Sequence, residues 1–265
     1  MRVLNKPSIP PSNIYDDCTN SLKDQLGLSN ERVNFLREVQ CYDTKASKHQ
    51  YDKVCRNQPK HTTAERLKAA YEKGLVRNKR GEPYKNRIIQ INNKCPFCSV
   101  RFNAQLDHYL PKSIYPMHTV NPFNLVPCCS DCNHTKGSKS PTNPNDCFFH
   151  PYYEQCEGQK WLQASCNRSN PEQVTFSIDQ TISNNNGLLS RLNYTFRQLN
   201  LANLYATLAA SEFAERKIHF DRLDTQNLLE HLLSEANIIS HTNLNDWRVA
   251  TYKAWHSFAQ QNGGL

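Results

Sequence analysis

Apolar residues between residues 15 and 74 recur at intervals of three and four, the spacing of one face of a helix. The stretch SNERVNFLREVQCY shows this most plainly, because Val33, Leu36 and Val39 fall on one face. Ser29 precedes them and is a candidate N-cap, since its hydroxyl can accept a hydrogen bond from the first turn. The pattern predicts a mainly helical N-terminal region.

A second helix is predicted in HTTAERLKAAYEKG. It begins at Thr62 or Thr63, and it ends on Gly74, a residue typical of helix C-caps. The next stretch, VRNKRGEPYKNR, is polar, basic and without apolar periodicity, so we expect a loop. IIQIN then reads as a short strand.

The two ends of the chain differ in pattern. Residues 1–15 are rich in proline and polar side chains and are expected to form an arm that becomes ordered only on a partner. Residues 140–190 mix Pro, Asn and aromatics, with a strand candidate at VTFSI. From Ser190 onward the pattern is helical again, in LNYTFRQLNLANLYATLAASEFAERKIHF, TQNLLEHLLSEANII and LNDWRVATYKAWHSFAQ, with the last two opening after Thr, Asp or Asn.

The net charge of +8 is concentrated in one part of the chain. Between Lys45 and Arg87 there are 13 lysines and arginines against four acids, whereas from Arg191 to Leu265 there are seven against seven. A concentrated basic stretch suits a polyanionic partner such as nucleic acid. A solvated basic helix face explains the charge equally well.

The N-terminus, MRVLNKPSIPPSN, lacks the apolar core of a secretory signal, and no run of about 18 apolar residues follows. These features predict a cytoplasmic protein without membrane attachment. There are 11 cysteines, an odd number. In a reducing compartment, metal binding or inert burial is expected of them rather than disulfides.

Four cysteines form two Cys-x-x-Cys pairs, Cys95 with Cys98 and Cys129 with Cys132, separated by 30 residues. Two such pairs predict a structural Zn²⁺ site with four thiolates. Cys128 competes with its neighbour, but the two-residue spacing favours Cys129. A thioredoxin-like redox site is disfavoured because no βαβ pattern surrounds either pair. The remaining seven cysteines are expected to be small buried side chains.

The insert between the pairs, and the residues just after it, carry groups suited to phosphodiester hydrolysis. His108 titrates in the range of a general base, and Asp107 and Asn133 offer oxygen ligands to Mg²⁺ or Mn²⁺. Asn124 is expected to hold the His108 imidazole by a hydrogen bond. Lys136 is a candidate for neutralising phosphate charge. His118 and His150, by contrast, are expected to be packing residues.

The segments CPFC, LDHYLPKS, NLVPCCSDCN and NHTKGS, in this order, resemble the HNH or ββα-metal endonuclease family, across roughly residues 90–140. The resemblance implies a β-hairpin followed by a helix, with a divalent ion between them. It implies that His108, after Asp107, is the general base, that Asn124 is the middle Asn, and that Asn133 binds the catalytic ion. The four cysteines match the zinc-stapled members.

The chain departs from this family at one position. Many members have His directly after the last cysteine, where this chain has Asn133 followed by His134. Members with Asn there typically bind metal through Asp and Asn, which favours Asn133. If His134 is the ligand instead, the helix register is shifted by one.

The continuous phrase LDHYLPKSIYPMHTVNPFNLVPCCSDCNHTKGS is more narrowly similar to HNH nucleases of bacterial anti-phage operons, especially the nuclease subunit of Septu and of Septu-associated retrons. This resemblance implies a bacterial cytoplasmic protein, a role in antiviral defence and an SMC-like or ABC-type ATPase partner. A retron would add a reverse transcriptase and a noncoding RNA. The implied substrate is nucleic acid, with DNA favoured and RNA possible.

Together these features predict a mostly α protein with a small central ββα-metal domain stapled by a four-cysteine zinc site. The predicted regions are 1–88, basic and mainly helical, 89–140, the nuclease domain, and 141–265, mixed and then helical. Two alternatives to the defence nuclease stay open. One is a zinc-stapled nucleic-acid-binding module without catalysis, and the other is a stand-alone restriction or mobile-element HNH nuclease.

Overall fold

A computed structural model describes residues 1–20, 22, 25–156 and 158–265, with the backbone alone at residue 185. The described chain divides into two units, each compact by its own contacts. The first unit comprises Met1–Gln155 and Asn185–Thr195, and the second comprises Cys156–Asn184 and Phe196–Leu265. The three regions predicted from the sequence stay a prediction.

In the first unit, helices surround a short β-hairpin. The helical segments are α1 (Pro11–Thr19), α2 (Gln25–Ala46), α3 (Ala64–Ala69), a π-helical turn (Ala70–Val76), α4 (Glu82–Ile89) and α5 (Ser130–Lys136). The hairpin consists of β1 (Gln105–His108) and β2 (Leu125–Cys128), which pair antiparallel. In this register Gln105 lies opposite Cys128, and His108 lies opposite Leu125. Helix α5 begins two residues after β2 ends.

The hairpin shares its hydrophobic core with the N-terminal helices. Ile14 of α1, Phe35 of α2 and Leu67 of α3 belong to one buried cluster with Leu106 of β1 and Leu125 of β2. Burying apolar surface in this way contributes about 25 cal/mol per Å². Four-residue strands are too short to hold a hairpin alone, so the helical flank supports the hairpin.

The predicted N-terminal helices are confirmed in outline, with different ends. Helix α2 begins at Gln25, so Ser29 lies inside the helix and the N-cap prediction is wrong. Thr63 does cap α3, where its side chain accepts a hydrogen bond from the Arg66 amide at 3.2 Å. The helix does not end on Gly74, because the chain continues through the π-helical turn.

Of the stretch expected to be a loop and then a strand, residues 77–81 form bends and a turn as expected, and Glu82–Ile89 form α4 instead. Pro83 lies in its first turn, where a missing amide hydrogen costs no helical bond. Ile88 is buried in the core from the last turn of α4. The apolar pair Ile88–Ile89 therefore belongs to a helix end, and the strand prediction for IIQIN is wrong.

The prediction of an N-terminal arm that orders only on a partner is also wrong. The Arg2 amide donates to the Pro96 carbonyl at 2.7 Å, and the Leu4 amide donates to the Pro151 carbonyl at 2.8 Å. Ile9 is buried in the same core as the hairpin. The arm therefore packs against the chain itself, next to the Cys95–Cys98 turn, and most of its few apolar side chains are buried.

The second unit packs helices on a separate two-stranded sheet. Its elements are β3 (Leu162–Asn167), β4 (Asn170–Ile178), α7 (Leu201–Phe220), α8 (Thr225–Ser240) and α9 (Trp247–Asn262), and α6 (Leu188–Gln198) leads into it. The strand predicted at VTFSI is confirmed as part of β4. The expected long helix is broken at Asn200, which adopts a left-handed conformation with φ of 49°. Asp224 and Asp246 cap α8 and α9.

About half of the chain is helical, with two small sheets. None of the helices in the described residues is both long and apolar enough to cross a membrane. The two histidines expected to be packing residues are buried. His150 is fully buried, with its Nε2 2.9 Å from the Tyr42 hydroxyl, and His118 is 1% exposed. That β1, β2 and α5 make a ββα-metal domain stays a prediction.

Gly74 is required where the π-helical turn crosses α1. A Cβ at this position would lie 2.0 Å from the Cys18 carbonyl oxygen, a backbone atom that cannot rotate away. We expect Gly74→Ala to lower the free energy of unfolding by about 3 kcal/mol, although alanine has the higher helix propensity. Chemical denaturation measures this. Gly264→Ala, where nothing lies within 4 Å, is the control. A higher free energy of unfolding for Gly74→Ala would contradict the predicted steric clash with the Cys18 carbonyl.

Candidate active site and metal centre

Four cysteine sulfurs lie together at one end of the hairpin. The Sγ atoms of Cys95, Cys98, Cys129 and Cys132 are all within 4.8 Å of one another, and all four residues are buried. Tetrahedral zinc with Zn–S bonds near 2.3 Å places sulfurs about 3.8 Å apart, and Cys98 and Cys129 are 3.9 Å apart. The four thiols therefore fit a metal such as zinc.

The backbone explains how these sulfurs converge. The Ser99 amide donates to the Cys95 carbonyl at 2.8 Å, and Ser99 has a positive φ of 58°, so the first pair lies in a tight turn before β1. Cys129 is the N-cap of α5, and its sulfur accepts from the Cys132 amide at 3.5 Å. A metal bound here would join the entry to β1 with the start of α5.

Cys128 lies just outside this set. It is buried, and its sulfur is 4.0 Å from that of Cys95. Hydrogen bonding among the thiols, first of all from Cys128, lowers the pKa of Cys95 to about 4 and lowers that of Cys129 as well. Of the other cysteines, Cys55 is exposed, so the expectation that all seven are buried is wrong.

Asp107 and Lys136 form a buried ion pair between β1 and α5. Lys136 is fully buried, and its Nζ lies 3.1 Å from each carboxylate oxygen of Asp107. It also donates to the His108 carbonyl at 2.8 Å. Burial raises the pKa of Asp107, and Lys136 opposes that shift. In this arrangement the Lys136 charge neutralises Asp107, and its role toward a substrate phosphate stays a prediction.

His108 is 9% exposed and is held by a main-chain carbonyl. Its Nε2 lies 2.8 Å from the Thr119 carbonyl oxygen, which can only accept, so Nε2 carries the proton and Nδ1 carries a lone pair. Burial lowers the pKa of His108 to about 3. The imidazole is therefore neutral at pH 7, with one nitrogen able to accept a proton.

Asn124 is fully buried but does not hold the imidazole. Its Oδ1 accepts from the Leu110 amide at 2.8 Å, and its Nδ2 donates to the carbonyls of Leu110 at 3.0 Å and His118 at 3.2 Å. These hydrogen bonds join both ends of the 110–118 loop to Asn124, the residue directly before β2. Thr119, which bonds His108, directly follows that loop, so Asn124 acts on the imidazole only through the backbone.

Asn133 faces the same side of β1 as Asp107. Its Nδ2 donates to Gln105 Oε1 at 2.6 Å, and Gln105 and Asp107 share one face because strand side chains alternate. His134, the next residue of α5, is exposed. The structure thus brings Asp107, His108, Lys136 and Asn133 to one hairpin–helix junction, while their catalytic roles stay predictions.

An aromatic side chain from the N-terminal flank covers the junction. The Tyr71 ring packs at 4.4 Å from the His108 ring centroid, and its hydroxyl donates to the Leu106 carbonyl at 3.2 Å. Burial raises the pKa of Tyr71 to about 12. Sequence reasoning missed Tyr71, Gln105 and Thr119. Only Gln105 had a sequence signal, because it stands two residues before Asp107 on a strand.

Two side-chain oxygens at the junction accept no hydrogen bond from the described residues. The direction of the Lys136 hydrogen bond leaves Asp107 Oδ2 buried without a hydrogen-bond partner. Within the described residues, no group donates to Asn133 Oδ1. Hard cations such as Mg²⁺ take carboxylate and amide oxygens as ligands, so each of these side chains is of a type that can bind one. Lys136 would have to share Asp107 with the ion or withdraw from it.

Comparison with known proteins found two relatives of unequal coverage. The chain is 26% identical to protein ea31 of Escherichia phage lambda over 280 aligned positions, which cover 92% of this chain and 94% of that protein. It is 40% identical to Septu protein PtuB of Bacillus thuringiensis over 65 positions, which cover 22% of this chain and 25% of that protein. No family model matches the chain. No solved structure matches it.

Proposed function

We propose that this chain is a metal-dependent HNH endonuclease that hydrolyses nucleic-acid phosphodiester bonds. The observation that carries the proposal is His108, a neutral imidazole held by the Thr119 carbonyl on the strand position that follows Asp107. Its Nδ1 would accept the proton of the attacking water. The four-cysteine site would hold zinc and fix the hairpin to α5.

In this proposal, Asp107 and Asn133 are the residues that would hold Mg²⁺ or Mn²⁺. When bound, such an ion supplies positive charge that stabilises the phosphate and its leaving oxygen. The Lys136 ammonium opposes the rise that burial causes in the pKa of Asp107, and Asn124 fixes the loop that leads to Thr119. Nucleic acid is the substrate, with DNA favoured over RNA.

The similarity to Septu protein PtuB, together with the motif phrase, supports a role in phage defence. The partner proposed on that resemblance is an SMC-like or ABC-type ATPase, with a retron reverse transcriptase and noncoding RNA as a further possibility. The longer similarity, to protein ea31 of phage lambda, carries no activity with it, so a stand-alone restriction or mobile-element nuclease stays an alternative.

One observation favours a binding module without catalysis. Asp107 is 2% exposed and already neutralised by Lys136, which is the arrangement of a structural ion pair. Such a module would bind nucleic acid in a salt-sensitive way and release no product. Product formation in the presence of Mg²⁺ or Mn²⁺ separates the two functions.

The metal assignment is tested by Asn133→Ala, with His134→Ala as the neighbouring control on α5. We expect Asn133→Ala to weaken Mn²⁺ binding, measured by electron paramagnetic resonance, and to slow cleavage by more than about 10-fold. His134→Ala should change neither quantity, because its side chain is exposed and forms no part of the junction. The reverse result would assign the ligand to His134 and shift the helix register by one.

A further inference from the structure

A groove of about 260 Å³ runs beside the junction, between the helical flank and the hairpin. Tyr71, Arg77 and Lys85 line one wall, and Gln105 and Asn133 line the other. Tyr71 also touches His108, so the groove leads directly to the junction. Arg77 and Lys85 come from the basic stretch that the proposed mechanism leaves unused.

The charges of the groove are arranged for an anion. Arg77 and Lys85 form no ion pair with any carboxylate in the described residues. Glu72, the one acid in the lining, is held by Lys112, with Nζ 2.8 Å from the carboxylate. That bond neutralises the acid, so the two cations on this wall have no counter-charge of their own.

These cations project from a fixed backbone. A Cβ at Gly81 would lie 2.1 Å from the Gly74 carbonyl oxygen, and Gly74 is itself pressed against Cys18. The Tyr84 hydroxyl donates to Asp17 of α1 at 2.5 Å. The turn between the π-helical segment and α4 is thus packed on both sides. Cations on a pre-organised frame lose less entropy on binding than cations on a mobile loop.

We propose that the groove between Arg77, Lys85 and Asn133 binds the sugar-phosphate backbone of a nucleic-acid strand next to the bond that is cut. This inference rests on the proposed nuclease function and adds the residues that position the strand. A strand in the groove would meet two cations on one wall and the amides of Gln105 and Asn133 on the other, with the Tyr71 ring at its end near His108. Contacts to phosphates of this kind fix the position of the strand on the protein, and they do not select its base sequence.

The test is fluorescence anisotropy with short labelled oligonucleotides of one sequence, as single-stranded DNA, duplex DNA and RNA. The parent protein carries His108→Ala, so that binding is measured without cutting. Arg77→Gln with Lys85→Gln should weaken binding on the order of 10-fold at moderate salt. It should also reduce the slope of log affinity against log salt by about 1.4 for single strands and about 1.8 for a duplex.

The matched control is Lys79→Gln with Arg80→Gln, which removes two exposed cations from the same turn without touching the groove. Its binding should stay close to that of the parent. The proposal would be overturned if the two double variants weakened binding equally, or if Arg77→Gln with Lys85→Gln did not weaken it. It would also be overturned if the parent bound none of the three probes.

Cleavage by the chain with its native His108 is recorded separately. Suppose that only Arg77→Gln with Lys85→Gln weakens binding and that the native chain cuts nothing under any metal. The groove proposal is then supported, and the nuclease proposal fails. If the native chain cuts and the variant with Arg77→Gln and Lys85→Gln binds as the parent does, the nuclease proposal is supported and the groove proposal fails.

Discussion

His108→Ala is expected to abolish metal-dependent cleavage while zinc content and fold stay intact. The imidazole is neutral at pH 7, and its Nε2 proton is committed to the Thr119 carbonyl, so Nδ1 is left to accept a proton from water. A positioned general base contributes about 10²- to 10⁴-fold to rate. Rates on plasmid and single-stranded substrates, with circular dichroism and zinc analysis of the same samples, measure the effect.

The control is His118→Ala. His118 is buried in the same loop region, and burial lowers its pKa to about 3 as well, but its contacts are with Asn121 and neighbouring rings rather than with the junction. Both substitutions leave a cavity of similar size, so a general loss of stability would affect both. Equal loss of cleavage in the two variants would show that His108 matters only for packing.

Cys98→Ser is expected to release the metal and to destabilise the hairpin. Binding of structural zinc contributes about 10–16 kcal/mol of apparent free energy in small zinc-dependent domains. Here β1 and β2 have four residues each and depend on the turn that Cys98 closes. We expect less than one tenth of the wild-type zinc content, by atomic absorption, and a melting temperature lower by more than 10 °C, on the order of several kcal/mol.

Cys128→Ser is the matched control, because Cys128 is also buried but lies outside the four-sulfur set. It should keep one zinc per chain. If Cys98→Ser retains full zinc and an unchanged melting temperature, the four-cysteine assignment is wrong. If Cys128→Ser loses the metal instead, Cys128 is the ligand and Cys129 is not.

The spacing of chemistry-bearing residues was the most informative part of the sequence. The two Cys-x-x-Cys pairs led to the four-sulfur cluster, because ligand spacing reflects a local turn that needs little support from the rest of the fold. The last two C-terminal helices were likewise predicted from the Thr, Asp and Asn residues at their starts, since N-caps are local signals, and Asp224 and Asp246 are the caps. In contrast, α4 was missed because its outward residues are polar and only Ile88 enters the core.

Contacts between distant segments were beyond sequence reasoning. Nothing in the sequence places Tyr71 over His108, since the two residues meet only when the π-helical turn packs on the hairpin. The Thr119 carbonyl acts through the main chain, so residue type carries no signal for it. Lys136 was read as a free cation because its burial against Asp107 depends on how α5 crosses β1.

The most direct test of the proposed hydrolysis is a cleavage assay of the zinc-loaded chain on plasmid DNA, single-stranded DNA and tRNA. Each substrate is incubated with Mg²⁺, Mn²⁺ or EDTA, beside His108→Ala. We expect products with Mg²⁺ or Mn²⁺ only, and none from the variant. Products that persist in EDTA, or that form equally with His108→Ala, would contradict hydrolysis by His108 and a divalent ion.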